Sequence, residues 1–212
     1  MPHVYSLDGI TPVVDSSAFV HPTAVLIGDV IIGPNCYIGP GASLRGDFGR
    51  IVFEEGSNLQ DNCVVHTFPN AETIVERRGH IGHGAILHGC RIKQDAMVGM
   101  AAVIMDDAEV GESAVVAALT FVKAGMHVPA RSLIAGTPGK VIRQLSDGDI
   151  EWKNEGTAIY QALSLRCKAG LRETEPLSEI EPGRQRMRVP QFEPLQRSKK
   201  NSSLKRDDLR IV

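Results

Sequence analysis

Aromatic side chains are scarce in this chain. One Trp, three Tyr and six Phe make 5% of 212 residues, against 42% hydrophobic residues overall, so a large core must be aliphatic and suits a narrow interior. Long apolar runs are missing as well. No segment approaches the length of a bilayer span, and Met1-Pro2-His3-Val4-Tyr5 has no basic stretch leading into an apolar one. That excludes a membrane helix and a secretory leader, and predicts a cytoplasmic protein. The four cysteines, Cys36, Cys63, Cys90 and Cys167, lack paired spacing, which argues against a disulfide framework; small residues beside three of them predict packed thiols.

What the chain does have is a six-residue rhythm. Val20, Leu26, Ile32, Ile38 and Leu44 are evenly spaced; after a longer step come Phe53, Leu59 and Val65. Ile81 and Leu87 resume the pattern, and Ile92, Val98, Ile104, Val110, Val116 and Val122 complete sixteen inward candidates. Neither a helix nor a surface strand has this period, whereas three hexads per turn build a triangular coil. Segments such as Ile32-Gly33-Pro34-Asn35-Cys36 place a branched residue inside, a glycine to let the backbone turn, and a small residue four positions on. The expected architecture is an all-β solenoid, a parallel β-helix, over residues 1–145. The last hexads are expected near 121–131.

Beyond the coils, Ser146 and Asp149 form a capping pattern for a helix through Trp152, and a second helical stretch is expected after Gly156, giving a C-terminal helical segment over 146–170 that packs along the coils. Residues 171–212 read as a polar tail. From Arg184 to Val212 nine Lys or Arg face three Asp or Glu, a net of +6 in a chain whose total is −2. With no interleaved aromatics and no folded reader, this charge predicts a solvated extension and no nucleic-acid partner.

Counting faces places the histidines. With Val20, Leu26 and Ile32 on faces one, two and three, Arg45, His66 and His88 each follow an inward residue on face two and form an outward column. The stretch from about 68 to 79 becomes an excursion on face three. Asp61 and His83 share a column on face one. Imidazoles on adjacent coils, ~4.8 Å apart, can converge on one ion at ~2.0–2.1 Å per bond. A third ligand, His83, lies around the corner, so a symmetric neighbour presents its copy more easily. His80 is read as a pocket or supporting group, His21 as a corner residue, and His3 is unassigned.

The repeats resemble the hexapeptide-repeat family, whose coils wind left-handed. Arg45-Gly46-Asp47, Gln60-Asp61-Asn62, Val65-His66 and His83-Gly84-Ala85-Ile86-Leu87-His88 are similar to motifs of its γ-class carbonic anhydrase-like members. That resemblance implies a homotrimer with a divalent metal between subunits: zinc, with iron or cobalt as alternatives, held by His66 and His88 of one chain and His83 of the next. It implies ion pairs of Arg45 with Asp47 and Asp61, and Gln60 on the water at the metal. The likeness extends, over roughly residues 1–186, to family members of phenylacetate degradation and, less so toward the C-terminus, of the carnitine operon. It implies a metal-dependent hydrolase acting on acyl-CoA thioesters.

Two other functions remain open on the sequence. A carbonic anhydrase of low activity is one, because Phe48 stands where an acidic residue follows the Arg-Gly-Asp motif in the most active members; Glu72 and Glu76 could partly replace it. An accessory protein with a vestigial site, or a metal-free acyltransferase, is the other. Lys123, Arg131 and Lys140 are candidate phosphate contacts for coenzyme A.

Overall fold

The computed structural model describes residues 2–189 and 192–193. Fifteen of the sixteen six-spaced side chains are buried, Val20 at the N-terminal end being partly exposed. Each contributes about 1.5–3 kcal/mol of hydrophobic stabilisation on leaving water. Small residues four positions on, among them Cys36, Ala42, Cys63 and Ala85, are buried beside them. The Cys36 and Cys63 thiols donate to the Glu54 and Gly82 carbonyls at 3.1 and 3.2 Å, and all four cysteines are free.

These coils stack in parallel register. Face one holds seven parallel rungs, with pairs such as Leu59 on Ile81, Ile81 on Val98 and Val98 on Val116. Faces two and three merge into one sheet because Val25–Ile32 and Ser43–Phe53 run through the corner between them. The result is a parallel β-solenoid of about 7 turns with one C-terminal helix.

Several local expectations change. The hexad glycines serve less to turn the chain than to let coils stack: a Cβ on Gly99 would lie 2.5 Å from the Ala118 nitrogen. Corner turns instead use left-handed residues such as Asn35, Asn62 and Asp95, whose short polar side chains tolerate that conformation. The face-three excursion is shorter than 68–79, since Glu72–Val75 is a strand paired with residues 50–53 and Val75 points inward. Glu76 lies beyond it in a turn bonded to Arg91 at 2.7 Å. The repeat also continues past residue 122: Val128 and Ile134, the next two positions at six-residue spacing, are buried.

The two expected helical stretches are one helix, Asp147–Gly170, with Gly156 inside it. Its start is closed reciprocally. Ser146 Oγ accepts from the Asp149 amide at 3.2 Å, and Asp149 Oδ2 accepts from the Ser146 amide at 3.1 Å, satisfying two otherwise orphaned donors. Lys153 contacts Asp95, Thr157 faces His80, Tyr160 meets Tyr37, and Ser164 bonds the Cys36 carbonyl at 3.1 Å. The helix therefore runs back along face one toward the first coils. From Leu171 the described residues form no helix or strand and are largely exposed. Most of the basic tail lies outside the described residues. No described helix is long and apolar enough to cross a membrane.

Candidate functional site

The face-two column forms as the count requires. His66 and His88 are register partners on adjacent strands, and Leu44, which precedes Arg45, pairs with Val65, which precedes His66. His66 Nδ1 lies 3.2 Å from His88 Nε2. Each ring is held from its other nitrogen. His66 Nε2 is 2.9 Å from Asp47 Oδ1, and His88 Nδ1 is 2.6 Å from Asp106 Oδ1.

A carboxylate oxygen only accepts, so each contact places the ring proton on the nitrogen facing the aspartate. With the aspartates on the far nitrogens, His66 Nδ1 and His88 Nε2 face one another, an arrangement that a shared proton or a bound cation satisfies. Two ligands at ~2.0–2.1 Å from a tetrahedral metal stand about 3.3–3.4 Å apart, close to the separation seen. The donor set fits a divalent metal of the zinc, iron or cobalt type.

Two glycines make room for this geometry. A Cβ on Gly46 would fall 2.4 Å from the Asp29 carbonyl oxygen, so only glycine lets the chain turn closely there between Arg45 and Asp47. Gly89, at φ +55°, has Asp106 Oδ1 2.4 Å from its absent Cβ position. That gap admits the carboxylate that orients His88. Asp47 is itself held, its other oxygen accepting from Arg45 at 2.7 Å.

His83 is placed elsewhere. Its Nδ1 lies 3.3 Å from Asp61 Oδ2 and its Nε2 3.3 Å from the Tyr160 hydroxyl. Burial first, then Asp61 and Cys63, pushes the Tyr160 hydroxyl up to about 12, so it keeps its proton; with the Nδ1 proton directed at Asp61, a neutral His83 ring accepts from that hydroxyl at Nε2. Among the described residues of one chain, no three His, Cys, Asp or Glu side chains gather in a metal-holding group. Asp61 pairs with His83 rather than with Arg45 in this chain.

Gln60 also stands apart from the histidine pair. It is buried under the helix, where Nε2 donates to Asn58 Oδ1 at 3.1 Å and lies 2.8 Å from His80 Nε2. Burial, with the positive charge of Lys153 and His83, lowers the His80 imidazole to about 4. Lys153 is pulled down to about 8 by its own burial, against the attraction of Asp95. Of the candidate phosphate contacts, Arg131 is bound to Asp147 at 2.5 Å.

Sequence counting missed Asp106, Tyr160 and Phe68. The column continues from His88 to Met105, so Asp106 sits one residue out of phase; only the glycine after His88 hinted at a side chain crossing there. Tyr160 arrives on the helix, whose register against the coils no repeat encodes. Phe68 approaches His88 edge-on at 5.2 Å between centroids, while Phe48 lies 5.1 Å from His66.

Fold and repeat together define a hexapeptide β-helix. A family model described as bacterial transferase hexapeptide (six repeats) matches residues 11–46. The carnitine operon protein CaiE of Salmonella agona is 55% identical over 184 residues, covering 87% of this chain and 93% of that protein. A crystal structure described as a hexapeptide transferase family protein from Anaplasma phagocytophilum matches with TM-score 0.74 at 39% identity, over 77% of this chain and 96% of that one. The chain therefore belongs to the hexapeptide-repeat family of left-handed β-helices, with close relatives named CaiE.

Proposed function

We propose that this chain is a metal-dependent acyl-CoA thioesterase that works as a homotrimer with its sites between subunits. The observation that carries the reading is the His66–His88 pair, with nitrogens 3.2 Å apart and each ring held by a carboxylate. Such second partners fix ring orientation and raise ligand basicity. A divalent cation bound there lowers the pKa of water toward ~7 and polarises a carbonyl. His83 of the partner subunit supplies the third imidazole, and Gln60 and Asp61 accompany it on the same face.

Supporting the assembly is an apolar edge that continues the His83 corner. Met100 and Leu119, at the same corner of the next two coils, are 56% and 72% exposed, and Val64 and Ile86 stand exposed on adjacent rungs of face two. An exposed apolar edge continuous with the His83 corner supports a subunit contact there.

Hydrolysis adds water to the thioester carbonyl carbon and breaks the C–S bond. The products are a carboxylate, the free thiol of CoA and a proton. Asp47 and Asp106 keep both rings aligned through the reaction, and Arg45 keeps Asp47 in place. The acyl group is assigned to CoA esters of phenylacetate breakdown. That assignment rests on the likeness of Gly79-His80-Ile81-Gly82-His83, Glu151-Trp152-Lys153 and Pro176-Leu177-Ser178-Glu179 to the phenylacetic acid degradation protein PaaY. The name of the CaiE relatives adds a carnitine-derived CoA ester to any substrate panel.

The test is a thioesterase screen of metal-loaded wild type and His66→Ala, with metal content measured on both. Cleavage by wild type, with loss of metal and of at least a hundredfold in kcat/KM in the variant, supports the reading. Full activity in His66→Ala removes the histidine pair from the mechanism. No cleavage of any thioester leaves an accessory role or acyl transfer, and efficient hydration of carbon dioxide makes the protein an anhydrase.

A further inference from the structure

Phe48 and Phe68 are the only phenylalanines more than half exposed among the described residues, at 55% and 57%. Both stand at the histidine pair. Phe48 tilts at 51° to the His66 ring, and Phe68 meets the His88 ring at 90°. The turn after Phe68 is joined to the Phe48 strand, because the Asn70 amide donates to the Phe48 carbonyl at 2.9 Å; the Ala71 amide closes that turn onto the Phe68 carbonyl at 3.1 Å. Close approach is required there: a Cβ on Gly49 would lie 2.1 Å from the Ala71 oxygen. The short face-three excursion thus carries one aromatic wall and braces the other.

We propose that Phe48 and Phe68 form an acyl site beside the His66–His88 pair that selects a bulky apolar acyl group, of aryl type, over a short one. This rests on the thioesterase reading and names the side chains that would set its acyl preference. Aromatic faces and edges pack well against another ring, whereas an acetyl group leaves most of both phenylalanines in water. Exposed aromatics could also hold a quaternary ammonium. Charge decides against it here. Asp47 and Asp106 are already committed to the imidazoles and Arg45, and a cation bound between the histidines repels a second one.

Binding of uncleavable thioethers of CoA to the full-length, metal-loaded protein tests this without turnover. Calorimetry with S-phenethyl-CoA, S-ethyl-CoA and a trimethylammonium-bearing thioether is read on wild type, Phe48→Ala, Phe68→Ala and the double variant, with assembly mass by light scattering. Wild type is expected to prefer the phenethyl group by at least tenfold, each single variant to lose most of that preference, and the double variant all of it, at unchanged mass. Equal binding of the phenethyl and ethyl compounds by wild type overturns the proposal. So does a preference that survives in the double variant, tighter binding of the trimethylammonium compound, or a fall in mass that makes the two rings subunit contacts. Preference without hydrolysis of the matching thioester would sustain the acyl site and sink the thioesterase.

Discussion

Two imidazoles in this solenoid, each 22 residues beyond the side chain it faces on the preceding coil, have been put to opposite uses. His80 faces Asn58 on face one, and His88 faces His66 on face two. Both are outward positions stacked on the preceding coil, His80 just before the inward Ile81 and His88 just after the inward Leu87. What separates them is cover: Thr157 and Tyr160 of the helix close over His80, leaving it 6% exposed, while the His88 side chain keeps 25% of its surface in solvent. Under the helix the neighbours are amides and hydroxyls, and the ring is held neutral. In the open column the neighbours are carboxylates, which favour a cation between the rings. A solenoid can thus stack imidazoles on more than one face, and the segments laid over it decide which stay open to chemistry.

The largest effect that would break this contrast is acid sensitivity. Burial lowers His80 to about 4 from 6.5. Its preference for the neutral form is then fully present above pH 6.5, and is lost as pH falls toward 4, because the unfolded chain takes up a proton that the folded chain refuses. The loss amounts to about 3 kcal/mol per chain. Denaturant midpoints of metal-free wild type and His80→Gln, followed over that window, should converge as pH falls. Parallel curves would mean that His80 is not neutral under the helix, and the contrast would fail.

A smaller effect sharpens the open side. Asp106→Ala removes the acceptor that fixes His88, which should weaken metal binding about 10- to 100-fold while leaving the fold intact. Gly89→Ala is expected to do the same, because its methyl group would strike Asp106 Oδ1 at 2.4 Å in a backbone already left-handed. Competition titration with a colorimetric zinc chelator reads both variants. Wild-type affinity in Asp106→Ala would reduce that carboxylate to a surface contact.

The coils, the inward residues and the His66–His88 column were legible because a six-residue period ties sequence distance to position in space. Asp106 was not. It lies out of phase with the column, and its reach to His88 depends on a missing Cβ rather than on any residue present. Gln60 was found by motif, yet its place under the helix was invisible, since nothing in the repeat says which face the helix covers. The single helix was misread as two because Gly156 carries a propensity cost of about 1 kcal/mol, which contacts along the coils offset. The hexad glycines were found but their role was not, because clash with the next coil is a property of stacking.

The smallest expected effect concerns Arg45. Its side chain is 46% exposed and its partner within the chain is Asp47, so Arg45→Ala should change the stability of an isolated chain by no more than about 1 kcal/mol. If Arg45 also reaches across the proposed subunit boundary, the same substitution should lower the assembly mass at low protein concentration, and added salt should lower it in wild type too. Urea unfolding and light scattering on one set of samples separate the two roles. Unchanged mass with unchanged stability would confine Arg45 to bracing Asp47, and the open column would then be organised by its own chain alone up to the third imidazole.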